Sequence, residues 1–347
     1  MRALTYHGPQ DVRCETVPDP VRPDERGAVV QVRAAGICGS DLHIYHGHGF
    51  APGSGYTVGH EAVGEVIEVG SAVVRFAVGD RVLVPASVGC GRCDACGRGL
   101  VILCDNPGEG GVYGIGHTLG GCQAEAVAVP AADMNLVAVP ATMTDDTALV
   151  LTDNAPTGWY GARLGRVGPG ETVVVVGLGP VGLMAVTSAL VMGAGQVLAI
   201  DLVADRRRRA AALGAVPIEG DPVTEVRRAT AGRGADVVIE AVGADATIEL
   251  ALSLAGRRGR VSVVGVSQNR AFPIDMALAQ VKCLELAIGL CSVQHELPPL
   301  LALCASGRLD PASIVTHRFP LDGGPEAYAL FSSRAGDVGK VVLETGS

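Results

Sequence analysis

Between Thr172 and Ile200 the chain carries no charged residue: TVVVVGLGPVGLMAVTSALVMGAGQVLAI. Its length alone would suit a membrane span. Gly177, Gly179, Pro180 and Gly182 interrupt it after only five strand-like residues, so it reads as strand, tight turn, helix, turn, strand. A parallel sheet covered on both faces has such continuously apolar strands. The rhythm recurs downstream. Apolar strand candidates lie at 196–201, 235–243, 259–267 and 284–292, with alanine- and leucine-rich helical stretches at 181–194, 204–215 and 246–256. Strands alternating with helices predict βαβ units and a doubly wound parallel sheet.

Residues 1–150 follow a different pattern. Short valine-rich segments, AVVQVRAAG, EAVGEVIEVG, DRVLVPA and AEAVAVP, are punctuated by Gly, Pro and Asp. This predicts a β-rich, barrel-like or partly open antiparallel domain. The tail returns to helix plus short strands and is expected to pack on the first domain. The predicted division is 1–154, 155–294 and 295–347, an α/β protein of two domains.

Composition narrows this picture. With 347 residues, 48% of them hydrophobic, the chain is large enough for two cores. A net charge of −9 has the wrong sign for a duplex nucleic-acid binder. The one basic run, DRRRRAAALG (205–214), reads as a solvated helix face. The N-terminal MRALTYHGPQDVRCE has no apolar h-region, so a cytoplasmic protein is expected. In a reducing compartment, ten cysteines point to metal ligation or catalytic sulfur rather than disulfides.

Three motifs carry chemistry. Gly177, Gly179 and Gly182, with Leu178, Pro180 and Val181 between them, form GxGxxG between a strand and a helix. That context suits a dinucleotide pyrophosphate at the helix N-terminus. Asp201, at the end of the next strand, suits the ribose hydroxyls of NAD and would repel the 2′-phosphate of NADP. Arg206 is placed to lie along the same ribose. The second motif is Cys90, Cys93, Cys96 and Cys104, spaced C-x2-C-x2-C-x7-C. Four thiolates suit a closed structural zinc, with an iron–sulfur cluster as the competitor. The third is Cys38 with His60. Asp153, an acid in an otherwise uncharged stretch, is the expected third ligand of an open zinc site. Ligands from both sides of the domain boundary would put the ion in a cleft between the domains. Glu61 is either a transient fourth ligand or a supporting acid.

GICGSDLH, GHEAVGEVIEVG, the four-cysteine lobe, GLGPVG and DVVIEAVG stand in this order along essentially the whole chain. In these the sequence resembles the zinc-dependent medium-chain alcohol dehydrogenases. The resemblance implies a GroES-like catalytic domain, a Rossmann domain and a C-terminal segment returning to the first. It implies NAD and two zinc ions per chain, one catalytic on Cys38, His60 and Asp153, and one structural at 90–104. Ser40 and His43 match the family's proton relay, and Glu61 its acid beside the zinc. Asp201 and Arg206 match its ribose pair, Val242 and Val266 its cofactor-lining positions, and Lys340 a basic residue facing the pyrophosphate. The expected reaction is reversible oxidation of a small alcohol, secondary or polyol, to a ketone or aldehyde. Sorbitol, threonine and formaldehyde-type dehydrogenases are the alternatives, and an NAD-sensing zinc-ribbon module the reading from another class. Residues 43–56 and those around Trp159 are expected to line the substrate pocket. The stretch LELAIGLCSVQHE is expected to form an edge strand that pairs subunits into a homodimer or homotetramer.

Overall fold

The computed structural model describes residues 1–49, 53–106, 110–116, 118–269, 271–333 and 336–346. Positions 50–52 of the expected pocket stretch lie outside the described residues. The chain forms two compact units. One is Met1–Pro156 with Ser292–Ser347, and the other is Thr157–Cys291. The terminal segment thus belongs with the N-terminal one.

In the first unit the valine-rich segments become strands of one sheet. Its order is Val137–Ala138, Arg81–Val84, Ala62–Val69, Ala28–Ile37, Lys340–Glu344 and Val315–Pro320, with Ala126–Val129 also pairing Ala28–Ile37. A smaller sheet joins Asp11–Thr16, Arg2–Gly8 and Tyr56–Thr57. Leu4, Ile37, Val66, Val84, Leu136 and Val341 are among the side chains that close the core between them. Register decides what meets at the strand ends. Ala35 pairs with Ala62, and Ile37 with Val341, both antiparallel. Cys38, Glu61 and Lys340 each sit one position beyond these pairs, so three distant parts of the chain converge at one sheet end.

The second unit is a six-stranded parallel sheet. Numbered along the chain its strands are Thr172–Val176, Gln196–Ile200, Val216–Pro217, Ala235–Glu240, Ala255–Val263 and Glu285–Ile288, lying in the order 3-2-1-4-5-6. This is the doubly wound dinucleotide-binding order. The order reverses between Thr172–Val176 and Ala235–Glu240, the switch point outside whose carboxyl ends sheets of this kind bind their ligands. All five positions of Thr172–Val176 are buried, as its unbroken apolar run required. The long uncharged stretch resolves into that strand, the helix Pro180–Val191 and the strand Gln196–Ile200. Among the described residues no helix is long and apolar enough to cross a membrane.

Candidate functional site

The motif GICGSDLH is a helix start. Cys38 caps the helix Gly39–Tyr45 from an extended backbone, and the Asp41 carboxylate accepts the Cys38 N–H at 2.9 Å. This capping satisfies an otherwise orphaned donor and fixes the helix start on which Cys38 sits. His60 follows Gly59, whose φ of +89° a side-chain-bearing residue rarely adopts. Asp153 arrives after the helix Asp145–Val150, through a backbone bond from Ala86 N–H to Thr152 C=O at 2.9 Å.

These elements bring Cys38, His60, Glu61 and Asp153 together, with one ligand atom of each within 4.8 Å of all the others. The Cys38 thiol donates to Asp153 Oδ2 at 3.2 Å, and His60 Nε2 lies 3.6 Å from that oxygen. Donors held 2.0–2.3 Å from a tetrahedral zinc would stand about 3.3–3.7 Å apart, so this spacing fits the ion. The electrostatics fit as well. Burial works against a charged His60, yet the negative charge of Asp41 and hydrogen bonds with Asp153, Asp41 and Cys38 raise its pKa well above the ordinary value. Burial, reinforced by the charge of Asp153, pushes the Cys38 thiol up. Asp153 is held below the usual carboxylate range, because bonding to His60 and its charge outweigh burial. A dication at the common centre would serve the same donors with a neutral imidazole and a thiolate, the forms that ligate.

All these ligands belong to the first unit. Asp153 falls before the division because it is tied to the strand region around Ala86. Lys340 joins the same cluster. It is fully buried, with its ammonium paired to Glu61 and donating to Ile37 C=O at 3.0 Å. Its position in register beside Ile37 makes it the partner of Glu61 in this cluster. Burial raises the Glu61 pKa, and the Lys340 charge pulls it back.

Ser40 Oγ lies 3.3 Å from His60 Nε2, and His43 stands one turn further along the same helix. Two residues escaped the sequence reading. Asp41 Oδ1 lies 3.2 Å from His60 Nδ1, which leaves Nε2 for a metal. The Asn154 side-chain N–H2 is shared by Glu61 Oε1 at 3.1 Å, Asp153 Oδ2 at 3.1 Å and Cys38 Sγ at 3.6 Å. A capping-box aspartate and an asparagine next to a ligand carry no distinctive sequence signal.

The sulfurs of Cys90, Cys93, Cys96 and Cys104 also lie within 4.8 Å of one another. Backbone N–H groups of Arg92, Cys96 and Asp105 and the Asn106 amide donate to them. Burial opposes ionisation of Cys90, but the Arg92 and Cys93 N–H groups, the Asn106 amide and the Cys104 thiol bring it down to about 6. Burial takes Cys96 up to about 12. Donors aimed at sulfur stabilise thiolates, and four of them close a tetrahedral site.

In the second unit Gly177 makes its turn at φ +89°. Gly179 caps the helix Pro180–Val191 without any side-chain cap, and a Cβ there would meet open space. Free N–H groups facing an open approach fit a pyrophosphate. Leu178 N–H and Val203 N–H each donate to Asp201 at 2.8 Å, and Arg206 lies 3.7 Å from it. Asp201 therefore braces the glycine turn. Val242 packs on Gly177, and the Val266 carbonyl lies against Gly243.

Comparison with known proteins agrees. Residues 24–141 match the family described as alcohol dehydrogenase GroES-like domain, and residues 180–306 the zinc-binding dehydrogenase family. A Mycobacterium tuberculosis protein named "Probable zinc-binding alcohol dehydrogenase" is 42% identical over 337 residues, covering 97% of this chain and 87% of its own. Sorbitol dehydrogenase of Bacillus subtilis is 31% identical over 94% of this chain and 92% of its own. Among solved structures, an alcohol dehydrogenase from Thermus sp. superposes with a TM-score of 0.92 at 42% identity, over 99% of both chains. The 2R,3R-butanediol dehydrogenase of Bacillus subtilis does so at 0.83 and 26% identity, also over 99% of both. With the metal ligands, the glycine turn and these likenesses in agreement, the chain belongs to the zinc-dependent medium-chain alcohol dehydrogenases and is an enzyme that oxidises an alcohol with zinc and NAD.

Proposed function

We propose that the alcohol is a secondary alcohol or a polyol, oxidised reversibly at a zinc held by Cys38, His60 and Asp153. The observation that carries this is the ligand set itself. Sulfur, imidazole and carboxylate converge in one buried cluster while Glu61 is engaged by Lys340 and Asn154. Three ligands leave the open position that substrate chemistry needs. The names of the sorbitol and butanediol dehydrogenases among its likenesses support the substrate class.

When bound, zinc supplies the Lewis acidity that acidifies an alcohol hydroxyl, and the nicotinamide supplies the hydride acceptor. The chain does the rest. Asp41 fixes His60 so that Nε2 faces the open site. Ser40 Oγ receives the hydroxyl proton and passes on its own. His43 is the outer end of that relay, because an imidazole takes up and releases protons near neutral pH. Glu61 is the supporting acid, tied down by Lys340. Gly177 to Gly182 cradle the pyrophosphate, Asp201 and Arg206 bind the ribose, and Val242 and Val266 line the cofactor.

Asp201→Gly is expected to raise the NADP-to-NAD ratio of kcat/KM by at least about tenfold, or ~1.4 kcal/mol. An unchanged ratio would show that Asp201 does not read the ribose. The enzyme is further read as a cytoplasmic homodimer or homotetramer. Glu285–Ile288 is an edge strand, with Ile288 70% and Leu290 54% exposed beside it. An unpaired apolar edge is a ready site for strand addition from a second copy.

The test is a metal analysis joined to an NAD-coupled panel of secondary alcohols, polyols and amino alcohols. Two zinc per chain and highest kcat/KM on the first two classes are expected. One zinc per chain, or preference for an amino alcohol or a primary alcohol, would overturn the reading.

A further inference from the structure

A line of buried polar contacts, hydrogen bonds closed by an ion pair, runs behind His60, and its outer members have no part in the reaction as described. Tyr328, on the C-terminal helix Gly324–Ser333, donates its hydroxyl to Gln123 Oε1 at 2.8 Å. Gln123 is fully buried and donates from Nε2 to Asp41 Oδ2 at 3.2 Å and to Gly36 C=O at 2.9 Å. Asp41 Oδ1 then faces His60 Nδ1 at an ion-pair distance of 3.2 Å. The Gln123 side chain also fills the space beside Gly59, where a Cβ would come within 2.3 Å of its Cγ.

We propose that Gln123 and Tyr328 are positioning residues for the catalytic zinc, acting through Asp41 on His60. The inference rests on His60 being a ligand of that zinc. An imidazole can swing about its own axis, and Asp41 stops it only if the carboxylate is itself held. Gln123 holds it, together with the Cys38 N–H. The amide has one workable orientation. Reversed, Oε1 would face two acceptors, the Asp41 carboxylate and the Gly36 carbonyl, with no proton between them. In that orientation Oε1 faces Tyr328 and accepts its hydroxyl proton, which holds the amide from the far side. Three links thus carry rigidity from the C-terminal segment to a metal ligand. Outer partners of ligating histidines typically change metal affinity by 10–100-fold.

The experiment uses zinc-loaded holoenzyme of the wild type, Gln123→Met and Tyr328→Phe. Zinc release to a chelator is followed with a colorimetric indicator, and kcat is measured in parallel. The four-cysteine zinc is the internal reference. Catalytic-site release is expected to be about 10–100-fold faster in Gln123→Met and several-fold faster in Tyr328→Phe, with the reference site unchanged. kcat should fall while the KM for NAD stays the same. Wild-type release rates in folded variants would overturn the inference, as would equal acceleration at both sites, which marks a merely structural role. If Gln123→Met fails to fold, Tyr328→Phe decides alone, since it removes one oxygen. A wild-type count of one zinc per chain would instead overturn the ligand assignment beneath it.

Discussion

Cys38→Ala is expected to lower kcat by at least about 1000-fold, or ~4 kcal/mol of transition-state stabilisation. The bound metal should fall from two zinc per chain to one, and NAD binding should persist. The prediction follows from where the sulfur sits. Cys38 is buried, and its sulfur meets Asp153 and is approached by Asn154. Alanine leaves His60 and Asp153 as two ligands, too few for a site that must also bind substrate. The glycine turn and Asp201 lie in the other unit, so cofactor binding should be spared. His60→Ala should behave alike, and should also leave Asp41 without the imidazole it orients. Zinc content by atomic absorption and NAD binding by calorimetry check both halves. Turnover near the wild-type level with one zinc per chain would refute the metal mechanism.

Lys340→Met should have the second largest effect, on stability. Lys340 and Glu61 form an ion pair in which both side chains are fully buried. Removing one partner of such a pair leaves an uncompensated charge and destabilises by about 3–5 kcal/mol. At roughly 2–4 °C per kcal/mol for a unit of this size, the melting midpoint should drop by roughly 6–20 °C. The double variant Lys340→Met with Glu61→Gln should recover much of that loss, because no charge remains stranded. Thermal melts of the zinc-loaded proteins read both effects. A Lys340→Met midpoint equal to the wild type, or a double variant less stable than the sum of the singles, would show that the pair is not what holds this strand end.

Much of the architecture is legible along the chain because it rests on local patterns. Thr172–Val176 shows its double burial as an unbroken apolar run, and Gly177 marks its turn. The four cysteines announce their site through spacing alone, since all four lie within fifteen residues. The partners of His60 announce nothing. Asp41 reads as a helix cap, Asn154 as a polar neighbour of a ligand, and Gln123 as an ordinary glutamine. Each gains meaning only when buried, because a buried polar group must find a partner or cost folding free energy.

Lys340 shows the same limit from the other side. A basic residue near the C-terminus reads naturally as a phosphate contact, yet its ammonium bonds a carbonyl 303 residues away. By itself the sequence determined the two kinds of unit, the dinucleotide turn and the thiolate lobe, since periodicity and spacing are properties of short segments, while its family resemblance pointed to Cys38, His60 and Asp153 as candidate ligands. Only the tertiary structure decided that the side chains of Cys38, His60, Glu61 and Asp153 meet in one cluster, that Lys340 serves Glu61, and that the C-terminal helix reaches Asp41 beside His60 through Gln123. Those contacts depend on the register of antiparallel strands drawn from opposite ends of the chain, and no local pattern encodes it.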